Sequence, residues 1–170
     1  MKQQKIQVLT VHPHSLLRTE CNKVEEFDEI LQKKIELMFG VMRRAKGIGI
    51  AANQCFLKDR IFIATINKEP KVFINPYLIN MHAGKMDSKE GCLSVPNVFD
   101  VVEREQKIHL AWQDEQGEQQ SDVFEFHDAI VIQHELDHLN GRLFCDKLSS
   151  LKQVMIKRKM LKLKKKYGWI

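Results

Sequence analysis

The run His134-Glu135-Leu136-Asp137-His138 constrains this chain more than any other feature. Two histidines four apart on a helix share one face, with Cβ atoms roughly 5–6 Å apart. They can take adjacent positions around one metal ion. Glu135 is rotated off that line, close enough to handle a proton beside the ion without ligating it. This is the H-E-x-x-H arrangement of hydrolytic metalloenzymes. Ile130, Val131 and Leu139 flank it, so the helix faces a core, where imidazoles need partners. An ordinary satisfied core histidine accounts for one of the two, but not for both plus Glu135. A catalytic site of this kind requires a third protein ligand and an open position. No His or Glu follows His138. The third ligand therefore comes from upstream, or from Cys145 or Asp146 just beyond the helix. On the residues alone Cys92, His109, His127, Cys145 and Asp146 stay open. Cys92 is attractive because Gly91 lets the backbone approach closely.

With 170 residues, 44% hydrophobic and 29% charged, the chain suits one domain, residues 1–170, with a core of its own. Met1 to Thr10 has no apolar run of signal-peptide length, and no stretch approaches the roughly 18 apolar residues of a membrane span. The expectation is a cytoplasmic monomer with no membrane partner. In a reducing compartment the four cysteines are thiols or metal ligands. Cys21, Cys55 and Cys145 read as small buried hydrophobes. The net charge of +5 is unevenly spread: from Leu151 to Ile170 there are eight Lys and Arg and no Asp or Glu. Those eight of 27 leave 19 basic against 22 acidic residues in the body. Such asymmetry points to an anionic partner for the tail alone.

The spacing of Val24, Phe27, Leu31, Ile35, Met38 and Met42 predicts a helix over 24–42, with Asn22 as cap and Glu25 as its reciprocal partner. Gly47 and Gly49 read as stop and loop residues. Residues 60–66, 71–79, 98–103, 107–113 and 118–124 read as strands, with turns at 67–70 and 114–117. A helix follows over 127–140, with Gly141 as the residue that ends it. A basic helix covers 149–166, within a C-terminal extension over 149–170. The order argues an α+β fold: antiparallel or mixed β-sheets around a central metal-binding helix, with an N-terminal helix and a basic C-terminal one.

Gly47-Ile48-Gly49-Ile50-Ala51-Ala52-Asn53-Gln54 superficially matches a dinucleotide fingerprint. That motif follows a strand and opens a helix. Here a helix precedes and strands follow, so the better readings are a tight turn, or a loop that brings backbone N–H groups and the Gln54 amide to a substrate.

Three segments, GIGIAANQ from Gly47, EGCLS from Glu90 and QHELDH from Gln133, together resemble the peptide deformylase family. Its motifs G-x-G-h-A-A-x-Q, E-G-C-L-S and Q-H-E-x-D-H occur in the same order. The opening from Val8-Leu9 to Leu17-Arg18 and the stretch from Gly141 to Leu148 are similar to it too. The resemblance implies removal of the N-formyl group from the N-terminal methionine of new proteins. It implies Cys92, His134 and His138 as metal ligands, with Fe(2+) as the natural ion and Ni(2+), Co(2+) or Zn(2+) as substitutes. It implies Glu135 as general base and acid, with Gln54 and the Leu93 N–H stabilising the oxyanion. Ile130 and Val131, on the ligand-bearing face, are expected to line the methionine pocket with Ile48 and Gly49. Glu90 is expected at the substrate site and paired with Arg104 to fix the Cys92 loop. Asn53, Asn97, Phe126 and His127 depart from the family's usual residues, Asn97 and Phe126 standing where Gly is common. A helical extension suggests docking to the ribosome near the exit tunnel, through Lys157, Arg158, Lys162 and Lys165. Two other readings compete. A small H-E-x-x-H metallopeptidase would want a downstream His or Glu. A zinc-containing RNA-binding module would make no use of Glu135.

Overall fold

The structure, a computed structural model, describes residues 9–168, apart from the side chains of residues 81–83. Val8 and the last two residues of the extension lie outside it. Helix α1 (Glu29–Ala45) starts later than the apolar spacing predicts. Its cap is Asp28, whose carboxylate accepts from the Ile30 and Leu31 N–H groups, and not Asn22. Val24 is held extended because the Asn75 side chain takes both its backbone groups, donating to its carbonyl and accepting from its N–H. Val24 and Phe27 still pack on the core that α1 covers, so the periodicity reported burial correctly but not the local conformation.

Five strands form one antiparallel sheet in chain order: β1 (Gly49–Ala51), β2 (Ile61–Ile66), β3 (Glu69–Cys92), β4 (Val95–Gln113) and β5 (Gln119–Glu125). Gly49, expected in a loop, opens β1. The β2–β3 turn is only Asn67-Lys68, both with positive φ, because Ile66 already pairs with Glu69. That is the conformation of a two-residue hairpin loop. The two stretches read as separate strands over 98–113 are one strand, and its partner β3 continues well past Ile79. Residues 80–91 have little β propensity; they are extended because β4 supplies the pairing along their whole length, with bulges where the register shifts.

Alternation along β2 explains the layers. Ile61 and Ile63 face α1 together with Leu31, Ile35 and Met38. Phe62, Ala64 and Ile66 face the opposite side, where α2 (Phe126–Leu139) contributes Ala129, Val131, Ile132, Leu136 and Leu139. Each such aliphatic side chain contributes roughly 1.5–3 kcal/mol on burial. Gly141 follows α2 with φ 68, and a side chain there would meet the backbone of Arg18. Asn97 and Phe126 also have positive φ, 61° and 49°. The left-handed geometry that glycine would supply is thus kept without glycine. Asn adopts it readily, whereas Phe126 pays about 1–2 kcal/mol for it.

Helix α3 (Ser150–Tyr167) packs Ile156 and Met160 against Val95, Val98 and Val102 of β4 and against Phe144. Lys152 pairs with Asp100 at 2.8 Å, and Lys159 donates to the Asn97 carbonyl at 2.6 Å. The apolar packing face of this helix is narrow. Val154 and Tyr167 are 46% and 55% exposed, leaving Ile156, Met160 and the partly buried Leu163 as the packing face.

Candidate metal and active site

The α2 helix presents His134 and His138 one turn apart, with ring centroids 5.2 Å from each other. The β3–β4 hairpin delivers the third group. Cys92 ends β3, Leu93 and Ser94 make the turn, and Val95 opens β4. Cys92 Sγ lies 3.1 Å from His138 Nε2. The ligand atoms of Cys92, His134 and His138 all fall within 4.8 Å of one another. The other candidates lie elsewhere. The Cys145 thiol is buried in the α3 core and pushed up to about 11 by that burial. Asp146 is engaged by Arg18, His109 pairs within β4–β5, and the His127 side chain is 72% exposed.

The donor chemistry suits a transition-metal or zinc ion: one thiol and two imidazoles. His134 Nδ1 is 2.8 Å from Glu90 Oε2, so its Nε2 is the nitrogen left to bind an ion. His138 is 1% exposed, and burial, aided by its neighbour His134, pushes its pKa well down and keeps the ring neutral with a lone pair available. Glu90 is itself clamped. Arg104 donates to both its oxygens at 2.7 and 2.9 Å and reaches Asp137 at 2.6 Å. Burial raises the Glu90 pKa, but Arg104 and His134 outweigh it and bring the carboxyl to about 2. Removing one partner of such a buried pair typically costs about 3–5 kcal/mol. Glu90 borders the cavity, yet Arg104 and His134 occupy its oxygens. Its contacts in the structure are therefore to Arg104 and His134. The Asp137 contact was missing from the sequence reading; its only signal was the acidic residue inside HELDH.

Glu135 is 4% exposed, and its Oε2 has no hydrogen-bond partner. Burial raises its pKa to about 7. Gly49 is what lets the carboxylate fit, since a Cβ at position 49 would overlap Glu135 Oε1. The glycine-rich segment therefore serves close approach, not phosphate binding. It leads into a short 3-10 turn, Ala52–Cys55, that carries Gln54. The Ala51 N–H donates to Gln54 Oε1 at 2.8 Å. That bond fixes the carboxamide so that Nε2 points to the hairpin turn, 3.1 Å from Ser94 Oγ and 3.7 Å from Cys92 Sγ.

These groups open on a cavity of about 510 Å³, mainly apolar, of a size suited to one side chain and adjoining backbone. Ile48, Gly49, Leu93, Ile130 and Val131 line it alongside His134 and Glu135. Every residue expected at the metal, the carboxylate and the pocket is thus brought to one place. Lys157, Arg158, Lys162 and Lys165 lie apart on α3, exposed.

The polypeptide deformylase family model matches residues 6–154. The peptide deformylase of Chromobacterium violaceum is 42% identical over 161 residues, covering 91% of this chain and 93% of that one. That of Thermotoga petrophila is 36% identical over 146 residues, covering 86% and 89%. Among solved structures, the peptide deformylase of Legionella pneumophila superposes with a TM-score of 0.88 at 39% identity, covering 94% and 96% of the two chains. That of Ehrlichia chaffeensis gives 0.89 at 30% identity, covering 93% and 96%. Sequence and structure agree over the same span, and the chain belongs to the polypeptide deformylase family.

Proposed function

We infer that the chain hydrolyses the formyl amide at the N-terminal methionine of newly synthesised proteins, releasing formate, and that the residues around Cys92 carry this out. The observation that supports it most is Glu135: a buried carboxylate with its Oε2 unpartnered and its pKa raised to about 7, beside three side chains that could ligate a metal and open to an apolar cavity. Cys92, His134 and His138 would hold a divalent ion, Fe(2+) in the cell with Ni(2+), Co(2+) or Zn(2+) as substitutes, which would supply Lewis acidity and make water a stronger nucleophile. Glu135 accepts the proton of the attacking water as the new C–O bond forms at the formyl carbon. The oxyanion receives hydrogen bonds from Gln54 Nε2 and the Leu93 N–H. Glu135 then gives the proton to the departing amine as the C–N bond breaks. Ile48, Gly49, Ile130 and Val131 hold the methionine side chain. Protein purified anaerobically under reducing conditions should release formate from formyl-Met-Ala-Ser, with free Met-Ala-Ser as the other product. Cleavage between residues without formate would instead support a metallopeptidase, and no turnover would support a structural zinc site.

The helical extension carries a second part of the reading, a dock on the ribosome near the exit tunnel. Leu151, Met155 and Leu161 are 70%, 61% and 48% exposed. They share a stripe with Arg158, Lys162 and Lys165 at helical spacing, on a helix whose buried face is Ile156 and Met160. A mixed apolar and cationic stripe suits a particle whose surface combines protein with RNA phosphate. The enzyme then works in the cytoplasm as a monomer on emerging chains; no helix among the described residues is long and apolar enough to cross a membrane. Truncation is a poor test, because it also removes Ile156 and Met160 from the packing behind Val95 and Val98. Joint reversal of Arg158, Lys162 and Lys165 to Glu should abolish ribosome co-sedimentation at low salt, while wild-type binding falls steeply as salt rises. Hydrolysis of the short peptide should stay within about twofold. Equal co-sedimentation of the two proteins would remove the docking role.

A further inference from the structure

Asn53 precedes Gln54 in the short turn after β1. It is fully buried, and its Nδ2 donates to the backbone carbonyl of His138 at 2.5 Å. That carbonyl lies in the last turn of α2 and also accepts from the Gly141 N–H at 3.0 Å. A carbonyl at a helix end lacks an intrahelical donor, and Asn53 supplies one from a different part of the chain. The amide orientation is fixed by chemistry, because the reverse orientation would set two acceptors against each other. Its other end gains nothing: Asn53 Oδ1 is buried and has no hydrogen-bond partner. A residue chosen for packing alone would avoid that cost. The turn is held from its other side as well, since the Thr10 N–H donates to the Gln54 carbonyl at 2.7 Å.

We propose that Asn53 is a positioning residue that fixes the distance between the Gln54 carboxamide and the His138 imidazole. Gln54 is set in azimuth by the Ala51 N–H, but that bond lies within the same local segment and cannot set the segment against α2. The Asn53 bond does so, linking residues 85 apart in sequence. Hydrogen-bond donors to an oxyanion act only when they sit within a few tenths of an ångström of where the charge develops. Asn53 does not line the cavity; it acts through its neighbour Gln54 and through His138.

This rests on the deformylase reading, and the test keeps the two apart. Asn53→Leu keeps the number and branching of the side-chain heavy atoms and removes the donor. It should lower kcat about tenfold on formyl-Met-Ala-Ser with KM within twofold. Combined with Gln54→Leu it should add little further loss, because both changes remove the same aligned donor. In cobalt-loaded protein it should alter the visible absorption bands and speed cobalt loss to a chelator at least fivefold, with the melting temperature unchanged or higher. Asn53→Ala gives the same measurements if the Leu variant does not fold. Unchanged kcat and an unchanged cobalt spectrum overturn the proposal. So does a loss that adds fully to that of Gln54→Leu, or one matched by a lower melting temperature. If the wild-type protein releases no formate, the deformylase reading fails while the cobalt spectrum still tests Asn53.

Discussion

Replacing Glu135 with Gln is expected to lower kcat/KM for a formylated peptide about 10³-fold while leaving the metal in place. That corresponds to about 4 kcal/mol of transition-state stabilisation, at 1.36 kcal/mol per factor of ten. Gln fills the same space beneath Gly49 but cannot accept a proton or return it to the leaving amine. The side chains placed to hold an ion are Cys92, His134 and His138, so metal content should remain near that of the wild type. The pairing of retained metal with lost turnover is what separates a general base from a ligand. Metal analysis and formate release on the same preparation measure both. Full activity in a metal-loaded Glu135→Gln protein would remove the mechanism and favour a structural metal site.

The second large effect is at Cys92. Cys92→Ala should lose the bound metal and with it all measurable turnover, since two imidazoles alone hold such ions weakly. Cys145→Ala is the stringent control: it shares a core cluster with Cys92 yet should keep its metal. Cys21→Ala and Cys55→Ala should keep theirs as well, at a cost of about 1 kcal/mol each in stability. All three control thiols are buried, and burial pushes them up to about 11 or 12, so they stay protonated. Metal lost from Cys145→Ala and kept by Cys92→Ala would refute the ligand set. With ferrous iron, activity should also decay in air as the metal or its thiolate oxidises, and exchange for nickel should slow the decay.

The sequence by itself determined the features that depend on local geometry. The i, i+4 spacing of His134 and His138 puts two ligands on one helical face whatever surrounds them, and Gly141 marks where that helix must end. The alternation through Ile61 to Ile66 gives a strand buried on both faces, since each face carries its own apolar set. The apolar spacing from Val24 to Met42 identified a buried face but placed the helix start five residues early. Only the tertiary structure sets that start, because the amide that holds Val24 extended comes from Asn75, far along the chain. The polar stretch over 80–91 is a strand only because β4 lies beside it. The group that joins the two histidines is the clearest case. Five residues were chemically admissible, and propensity cannot rank them. The hairpin brings the Cys92 thiol to the histidines, while Cys145, in the cluster that Cys92 packs against, is not among the three grouped ligand atoms. The same holds for Arg104, whose bonds to Glu90 and Asp137 join two elements, and for Gln54, whose aim depends on Ala51 and the hairpin turn. Ligand identity and carboxamide direction are relations between segments distant in sequence. A linear pattern names the groups, and the long-range strand pairing decides which of them meet.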